Sequence, residues 1–428
     1  MIKSFSVANF LSIKDKVVFL LEAGKEAGNQ NSIFEFGESR LVKSVAIYGA
    51  NASGKSNLLK AIAFLRVFVV NCLKTAGNPI PVVPFLLSDE TDKKPSVFEL
   101  EILTSNGRFI YGCEVDSKKI FKESLFHYAP KKRKVFERDE QTITFGSHYK
   151  EKAEQIKGQV REDVLLLSVL FSFNNEIAKT VVNEIKKIEV VLGAEKNQTL
   201  DYSFAQFKDN YSRERMMKMI KESDFGIVDM QIEEKMISTE DMAKTMPLEL
   251  RSILSQRSGL IAQRKLAALH KKNGKAEETV AFDFFQESDG TQQMFALSGP
   301  LVNSLKEGKT VFIDELDSHL HPFLCQYILS IFNSKENNPS NSQLIFTTHD
   351  ISLLDRQILR RDQIWFAEKN RDQGASDYFS LYDMKEKEGM NYAKRYFEGR
   401  YGALPYVSAL EGIESLENIE TESKENDL

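Results

Sequence analysis

The sequence predicts an α/β P-loop nucleotide-binding fold that carries an antiparallel β lobe and a helical insertion. Three observations predict it. Val45-Ala46-Ile47-Tyr48 runs into Gly49-Ala50-Asn51-Ala52-Ser53-Gly54-Lys55-Ser56 and then into Asn57-Leu58-Leu59-Lys60-Ala61-Ile62, the order strand, glycine-bounded loop, helix. Far downstream, Val311-Phe312-Ile313 stops at Asp314-Glu315, and Leu344-Ile345-Phe346 stops at Thr347-Thr348-His349, two more short apolar runs ending in polar side chains. Between these landmarks the pattern alternates with period two over residues 97–128, then turns to charged and aliphatic residues at helical spacing over residues 150–260.

From the N-terminus, Phe5, Val7 and Phe10, followed by Val17-Val18-Phe19-Leu20, read as two strands joined by the polar turn Lys14-Asp15-Lys16. Residues 24–31 are glycine- and asparagine-rich and read as a loop. Residues 57–74 have helical periodicity, which the prolines between 79 and 84 end. The segments 97–103, 109–115 and 121–128 are separated by Ser105-Asn106-Gly107 and Asp116-Ser117-Lys118, the pattern of an antiparallel meander. Lys131-Lys132-Arg133-Lys134 falls where the next hairpin turn is expected and reads either as a solvated turn or as a phosphate-contacting patch. Helices are expected over 164–192, 202–222 and 248–256, with no sustained heptad. Asn273-Gly274 between 265–270 and 279–286 signals a hairpin that returns the chain to sheet. A helix over about 291–305 follows, capped by Ser288.

The spacing G-x-x-x-x-G-K-[ST] lets consecutive backbone N–H groups wrap a β-phosphate, because glycine tolerates dihedrals and close approaches that a side chain forbids. Lys55 would reach the β- and γ-phosphates, Ser56 would offer its hydroxyl to Mg²⁺, and the helix starting there aims its positive dipole end at the anion. Gly49, Asn51, Ser53, Gly54 and Asn57 complete the expected phosphate-loop set. Asp314 would hold Mg²⁺ directly or through water, and Glu315 would orient and deprotonate an attacking water. His349, at the end of the next buried strand, would sit beside the γ-phosphate and hydrogen-bond it. In Glu287-Ser288-Asp289-Gly290-Thr291, Ser288 reads either as a helix cap alone or, with Gly290 allowing close approach, as part of an anion site.

The 428 residues are enough for two or three domain-sized units, and 42% hydrophobic with 28% charged residues is an ordinary globular composition. A net charge of -5 removes any global electrostatic case for nucleic-acid binding, so DNA contact would have to be local. Cys72, Cys113 and Cys325 are widely spaced and suggest neither a disulfide framework nor a zinc site. No apolar run approaches the roughly 20 residues that cross a bilayer, and Lys3, Lys14, Asp15 and Lys16 interrupt the N-terminus. A cytoplasmic protein without membrane contact is expected.

Phosphate loop, S-x-G before a helix, an apolar run ending in Asp-Glu, and a strand ending in histidine occur in an order that resembles the ATP-binding-cassette ATPases over nearly the whole chain. Gly49-x-Asn51-x-x-Gly54-Lys55-Ser56 and Asp314-Glu315-Leu316-Asp317-Ser318-His319-Leu320-His321-Pro322 look like the branch containing RecF, SMC proteins and the overcoming-lysogenization-defect (OLD) ATPases. The opening Ile2-x-x-Phe5-x-Val7-x-Asn9-Phe10, the segment around Ser288, and Glu398-Gly399-Arg400-Tyr401-Gly402-Ala403-Leu404-Pro405 resemble stand-alone AAA/ABC-type ATPases of the RloA and AbiL kind, found in bacterial antiphage and abortive-infection systems. Two departures stand out: Glu287 and Thr291 replace the usual leucine and glutamine of the signature, and no Q-loop glutamine is assigned.

The resemblance implies ATP as substrate, Mg²⁺ as cofactor, and a homodimer or higher homo-oligomer in which Ser288 and Gly290 of one subunit complete the phosphate loop of another. It also implies a separate effector, a nuclease of TOPRIM/RloB-like type or another toxin, because about eighty residues follow His349, fewer than the TOPRIM domain of OLD nucleases needs. Rival readings are a RecF/SMC-like repair ATPase that clamps DNA and, third, a transporter subunit. The expected division is an N-terminal ATPase part (1–149), a helical insertion (150–260), a C-terminal ATPase part (261–400), and a terminal segment with an acidic, solvated tail (401–428). The aromatic and basic residues of 396–407 read either as an effector-docking surface or as packing against the core.

Overall fold

A computed structural model describes residues 1–405 apart from 27, 150–155, 157, 194, 195, 224, 240, 242–258, 274 and 388. The period-two segments pair as expected. β1 (Ile2–Ala8) and β2 (Val17–Leu20) form the first hairpin, and β3 (Ile33–Phe36) with β4 (Ser39–Val42) forms a smaller one that no sequence signal announced, each strand being only four residues long. After β5 (Ser44–Tyr48) and α1 (Lys55–Asn71) come β6 (Ser96–Thr104), β7 (Gly107–Val115), β8 (Ile120–Tyr128), β9 (Lys132–Asp139) and β10 (Thr142–Phe145). The lobe is a seven-stranded antiparallel sheet in the order β10-β9-β8-β7-β6-β1-β2. Its one departure concerns the basic run. The turn lies at 129–131, and Lys132, Arg133 and Lys134 open β9, opposite Tyr128, His127 and Phe126.

The expected helix over 164–192 is two helices, α2 (Leu166–Ser172) and α3 (Glu176–Lys186), followed by β11 (Ile188–Val191). Asn174 takes a positive φ of 61° and the Asn175 side chain accepts from the N–H groups of Ile177 and Ala178, so the asparagine pair stops one helix and caps the next. The β-branched run from Ile188 then pairs in parallel with β15 (Thr310–Ile313). The helix expected over 202–222 is likewise split, into α4 (Lys196–Gln206) and α5 (Asn210–Glu222), with Asp209 capping the second. β12 (Ile227–Ser238), β13 (Leu260–Lys272) and β14 (Lys275–Asp283) make a separate three-stranded sheet, so the 150–260 stretch contains strand as well as helix. Asn273, φ 51°, sits at the expected hairpin turn. The helix expected over 248–256 and the acidic tail lie outside the described residues.

The remaining elements are α6 (Asp289–Glu307), α7 (Pro322–Asn333), β16 (Gln343–Thr347), β17 (Ile364–Lys369), β18 (Ser376–Ser380) and α8 (Tyr392–Phe397). A six-stranded sheet runs β11-β15-β16-β5-β17-β18, parallel throughout except for β18. Every residue of β5, β15 and β16 is buried, as strands covered on both faces require. Alternate residues feed opposite cores. Val45, Ile47, Phe312, Ile345 and Trp365 pack toward α1, α2, α3 and the β lobe, while Ala46, Tyr48, Val311, Ile313, Leu344 and Phe346 pack toward α5, α6 and α7. Three neighbouring parallel strands therefore open their carboxyl ends side by side, the place where such sheets bind ligands.

Candidate functional site

The loop after β5 needs both of its glycines. Gly49 has φ 156° and Gly54 φ 104°, and an added Cβ would overlap the Ala367 carbonyl oxygen at the first and the Ser376 hydroxyl at the second. Neighbours brace the loop from outside. The Ser376 hydroxyl donates to Ser53 O at 2.7 Å, the Tyr378 hydroxyl donates to Gly54 O at 2.6 Å, and Asn57 Nδ2 donates to Ser12 Oγ at 2.7 Å. Lys55 is buried and donates from Nζ to Gly49 O at 2.8 Å and Ala50 O at 3.0 Å. Burial lowers its pKa, against the opposing pull of Asp314, Glu315 and Asp317. Ser53 Oγ is buried with no hydrogen-bond partner, the state of a polar atom that faces a ligand position.

One strand away, the last residue of β16, Thr347, ties together the acids that follow β15. Asp314 Oδ1 accepts from the Ser56 hydroxyl at 2.9 Å and from the Thr347 hydroxyl at 2.7 Å. The Glu315 N–H donates to that same Thr347 Oγ1 at 2.7 Å, and Leu316 N–H donates to Thr347 O at 3.1 Å. Glu315 itself is exposed and adopts φ 53°, a left-handed conformation that costs a side-chain-bearing residue about 1–2 kcal/mol. His349 N–H donates to Asp317 Oδ2 at 3.1 Å. Although His349 is exposed, partial desolvation holds its imidazole below its ordinary pKa and the nearby Lys55 charge adds to this, while Asp317, Glu315 and Asp314 oppose it. Behind it, burial and the Asp350 charge push the Tyr48 phenol well up, and its hydroxyl donates to Asp350 O at 3.2 Å.

The sequence-expected residues Gly49, Asn51, Ser53, Gly54, Lys55, Ser56, Asn57, Asp314, Glu315 and His349 thus gather at the ends of β5, β15 and β16. Of these, Gly49, Asn51, Ser53 and His349 line a cleft of about 830 Å³ together with Lys369, Arg371, Phe397, Leu404 and Pro405, whereas Gly54, Lys55, Ser56, Asn57, Asp314 and Glu315 lie outside its lining. Ser288 and Gly290 are not among its lining residues. Ser288 caps α6 through a 3.2 Å bond from Thr291 N–H, and Gly290 faces the His319 carbonyl. No glutamine lines the cleft. The Ser56 hydroxyl and the Asp314 carboxylate are oxygen donors that suit a hard divalent cation, and the buried Lys55 ammonium beside them suits the polyphosphate that such a cation accompanies.

Thr347, Ser376 and Tyr378 were not singled out in the sequence. Thr347 lies in plain view as the polar end of an apolar strand, but the loop-bracing residues stand more than three hundred positions from Ser53 and Gly54 and carry no motif. Of the two readings of residues 396–407, core packing describes their aromatic side chains better. Tyr396 and Tyr401 are buried, Tyr396 stacks on Phe366 at 5.6 Å, and its hydroxyl donates to Ala403 O at 3.1 Å, so these residues pack against the core; Phe397 alone of the three is exposed. Glu368 fixes the same turn by accepting from Ala403 N–H at 3.2 Å. Residues 406 and 407 lie outside the described residues.

Among solved structures, the chain is similar to an SMC head bound to the C-winged helix domain of ScpA, at 14% identity and TM-score 0.44, covering 90% of this chain and 99% of that one. It is also similar to the SMC head domain from Thermotoga maritima, at 12% identity and TM-score 0.41 over 89% and 98% of the two chains. An SMC head with an extended coiled coil bound to the C-terminal domain of ScpA, derived from Pyrococcus furiosus, gives 15% identity and TM-score 0.41 over 90% and 98%. No curated protein matches the chain. No helix among the described residues is long and apolar enough to cross a membrane. Residues 44–355, from β5 to beyond His349, match the family described as "AAA domain, putative AbiEii toxin, Type IV TA system", and the chain belongs to this family of AAA-type ATPase domains.

Proposed function

We propose that the chain is the ATP-binding and ATP-hydrolysing subunit of a bacterial antiphage or abortive-infection system, a sensor or motor that controls a separately encoded effector, best matched by a TOPRIM/RloB-like nuclease. The observation that carries the reading is the 2.9 Å bond from Ser56 Oγ to Asp314 Oδ1, which joins the phosphate loop to the acidic strand end with Glu315 next in line. The family's AbiEii description supports a defence or toxin–antitoxin setting, and the narrower reading rests on the resemblance of the sequence motifs to those of RloA, AbiL and OLD ATPases.

In this reading the amides of the phosphate loop and Lys55 hold the β- and γ-phosphates, and Lys55 gives up its two carbonyl contacts to do so. Ser56 and Asp314 would hold Mg²⁺, which when bound neutralises developing phosphate charge. Glu315 accepts the proton of the attacking water, and neutral His349 hydrogen-bonds the γ-phosphate. Ser288 and Gly290 act on the phosphate loop of a second copy. DNA clamping is the less supported alternative. Lys132 Nζ lies 4.1 Å over the Phe126 ring and Lys134 pairs with Glu137 at 2.8 Å, so half of the basic run is engaged within the lobe.

Co-expression with the adjacent reading frame, followed by affinity purification with and without ATP, tests the effector. A nuclease that co-purifies supports the reading; a lone ATPase under both conditions overturns it, and salt-sensitive DNA binding by that lone ATPase favours the clamp.

A further inference from the structure

The Thr347 hydroxyl touches both acids of the site, and nothing in the motif assigns it a role. It is fully buried at the last position of β16, with one hydrogen to give and lone pairs to receive. It gives the hydrogen to Asp314 Oδ1 at 2.7 Å and receives the Glu315 N–H at 2.7 Å. The backbone adds to this, with Leu316 N–H on Thr347 O after Glu315 and Asp314 N–H on Val191 O of β11 at 2.9 Å before it. The left-handed Glu315 is therefore clamped on both sides, and its own N–H has one partner, the Thr347 side chain. Its carboxylate projects toward the loop after β11, where a Cβ at Gly193 would lie 3.9 Å from Oε2.

We infer that Thr347 is the positioning residue of the hydrolytic step: its hydroxyl locks the direction in which the Glu315 carboxylate leaves the strand end and fixes which Asp314 oxygen faces Ser56. The inference rests on the ATPase reading above. Two properties of the site support it. A backbone amide bonded to a side chain rather than to a carbonyl is held only while that side chain keeps its rotamer, and Thr347 is fully buried on a strand paired with β15 on one side and β5 on the other. Asp314 Oδ1 receives hydroxyls from both Ser56 and Thr347, so loss of one leaves the carboxylate anchored on the phosphate-loop side only. The acid that contacts the phosphate side thus keeps its anchor, while the acid that handles water loses its own. Thr347 acts through Glu315 and touches no reacting atom.

Thr347→Val keeps the shape and removes the hydroxyl, Thr347→Ala leaves room for a water, and Thr347→Ser keeps the hydroxyl. Steady-state hydrolysis of Mg-ATP is measured for each and divided by the number of sites that bind a fluorescent ATP analogue, so that partly unfolded material does not count. Both hydroxyl-less variants are expected to lose about tenfold to a hundredfold in kcat with KM within about twofold of native, the scale of loss when a reacting group is misplaced by a fraction of an ångström. Thr347→Ser is expected to stay within about threefold of native in kcat. The inference is overturned if whichever hydroxyl-less variant folds keeps native kcat, if KM rises in place of a fall in kcat, or if Thr347→Ser is as slow as Thr347→Val. It is equally overturned if both hydroxyl-less variants fail to bind the analogue, since the hydroxyl would then hold the fold and not the carboxylate. A native protein that binds ATP without hydrolysing it would instead overturn the ATPase reading.

Discussion

At the scale of the residue, His349 and Lys55 constrain each other. Partial desolvation and the Lys55 charge both depress the imidazole pKa, so His349 takes up its proton at lower pH than it would in the unfolded chain. The sign follows from that. The contribution of His349 to stability is whole above pH 6.5 and declines as pH falls through its folded pKa, because the unfolded chain takes up the proton first. A titration of ¹³C-labelled histidines followed by NMR is expected to place His349 below 6.5 and to move it upward in Lys55→Ala; a midpoint at or above 6.5 in the native protein contradicts the arrangement. Most of this site was legible because Gly49 to Ser56 act through local spacing, and Asp314, Glu315 and His349 each end an apolar run. Thr347 was not, since its bonds depend on the register of β15 against β16, which spacing along the chain does not reveal.

Among the elements, the junction between the β lobe and the helices that follow rests on one carboxylate. Glu123 on β8 is fully buried and accepts the N–H groups of Leu166 at 2.6 Å and Leu167 at 2.9 Å, at the start of α2, together with the Tyr111 hydroxyl at 3.1 Å. Buried Arg138 on β9 stands 3.8 Å away and donates to Val164 O and Arg161 O. Glu123→Ala would leave the Leu166 and Leu167 amides without this acceptor and the Arg138 charge without its counter-ion, though the guanidinium keeps its carbonyl partners, and breaking a buried pair of this kind costs about 3–5 kcal/mol. Urea unfolding is expected to show a loss of that size; a change below about 1 kcal/mol would mean the lobe is held by apolar packing alone. Strands with clear alternation or β-branched runs were legible in the sequence. The helices of 164–222 were misread as continuous because periodicity persists across Asn174-Asn175 and Asp209, where side-chain caps end one helix and start another.

In the whole molecule, Ser288 and Gly290 stand at the start of α6, where the Ser288 hydroxyl is engaged as the helix cap and Gly290 faces the His319 carbonyl. In the proposed two-fold dimer each would act on the phosphate loop of the other copy, and symmetry would then make both sites composite. Mixing Lys55→Ala with Ser288→Arg subunits is expected to restore one working site per heterodimer, seen as ATP turnover that neither variant has alone; no recovery in verified heterodimers contradicts shared sites. The parallel sheet was legible from its continuous apolar strands, whereas the burial of Tyr396 and Tyr401 was not, because their partners Phe366 and Tyr48 come from distant strands. Everything proposed for the molecule depends on Glu315 acting as the base for ATP hydrolysis. The most direct measurement compares Mg-ATP turnover and ATP binding in the native protein and in Glu315→Gln: the variant is expected to bind ATP with native affinity and to lose about a hundredfold or more in turnover, and a Glu315→Gln protein that hydrolyses ATP at the native rate would contradict it.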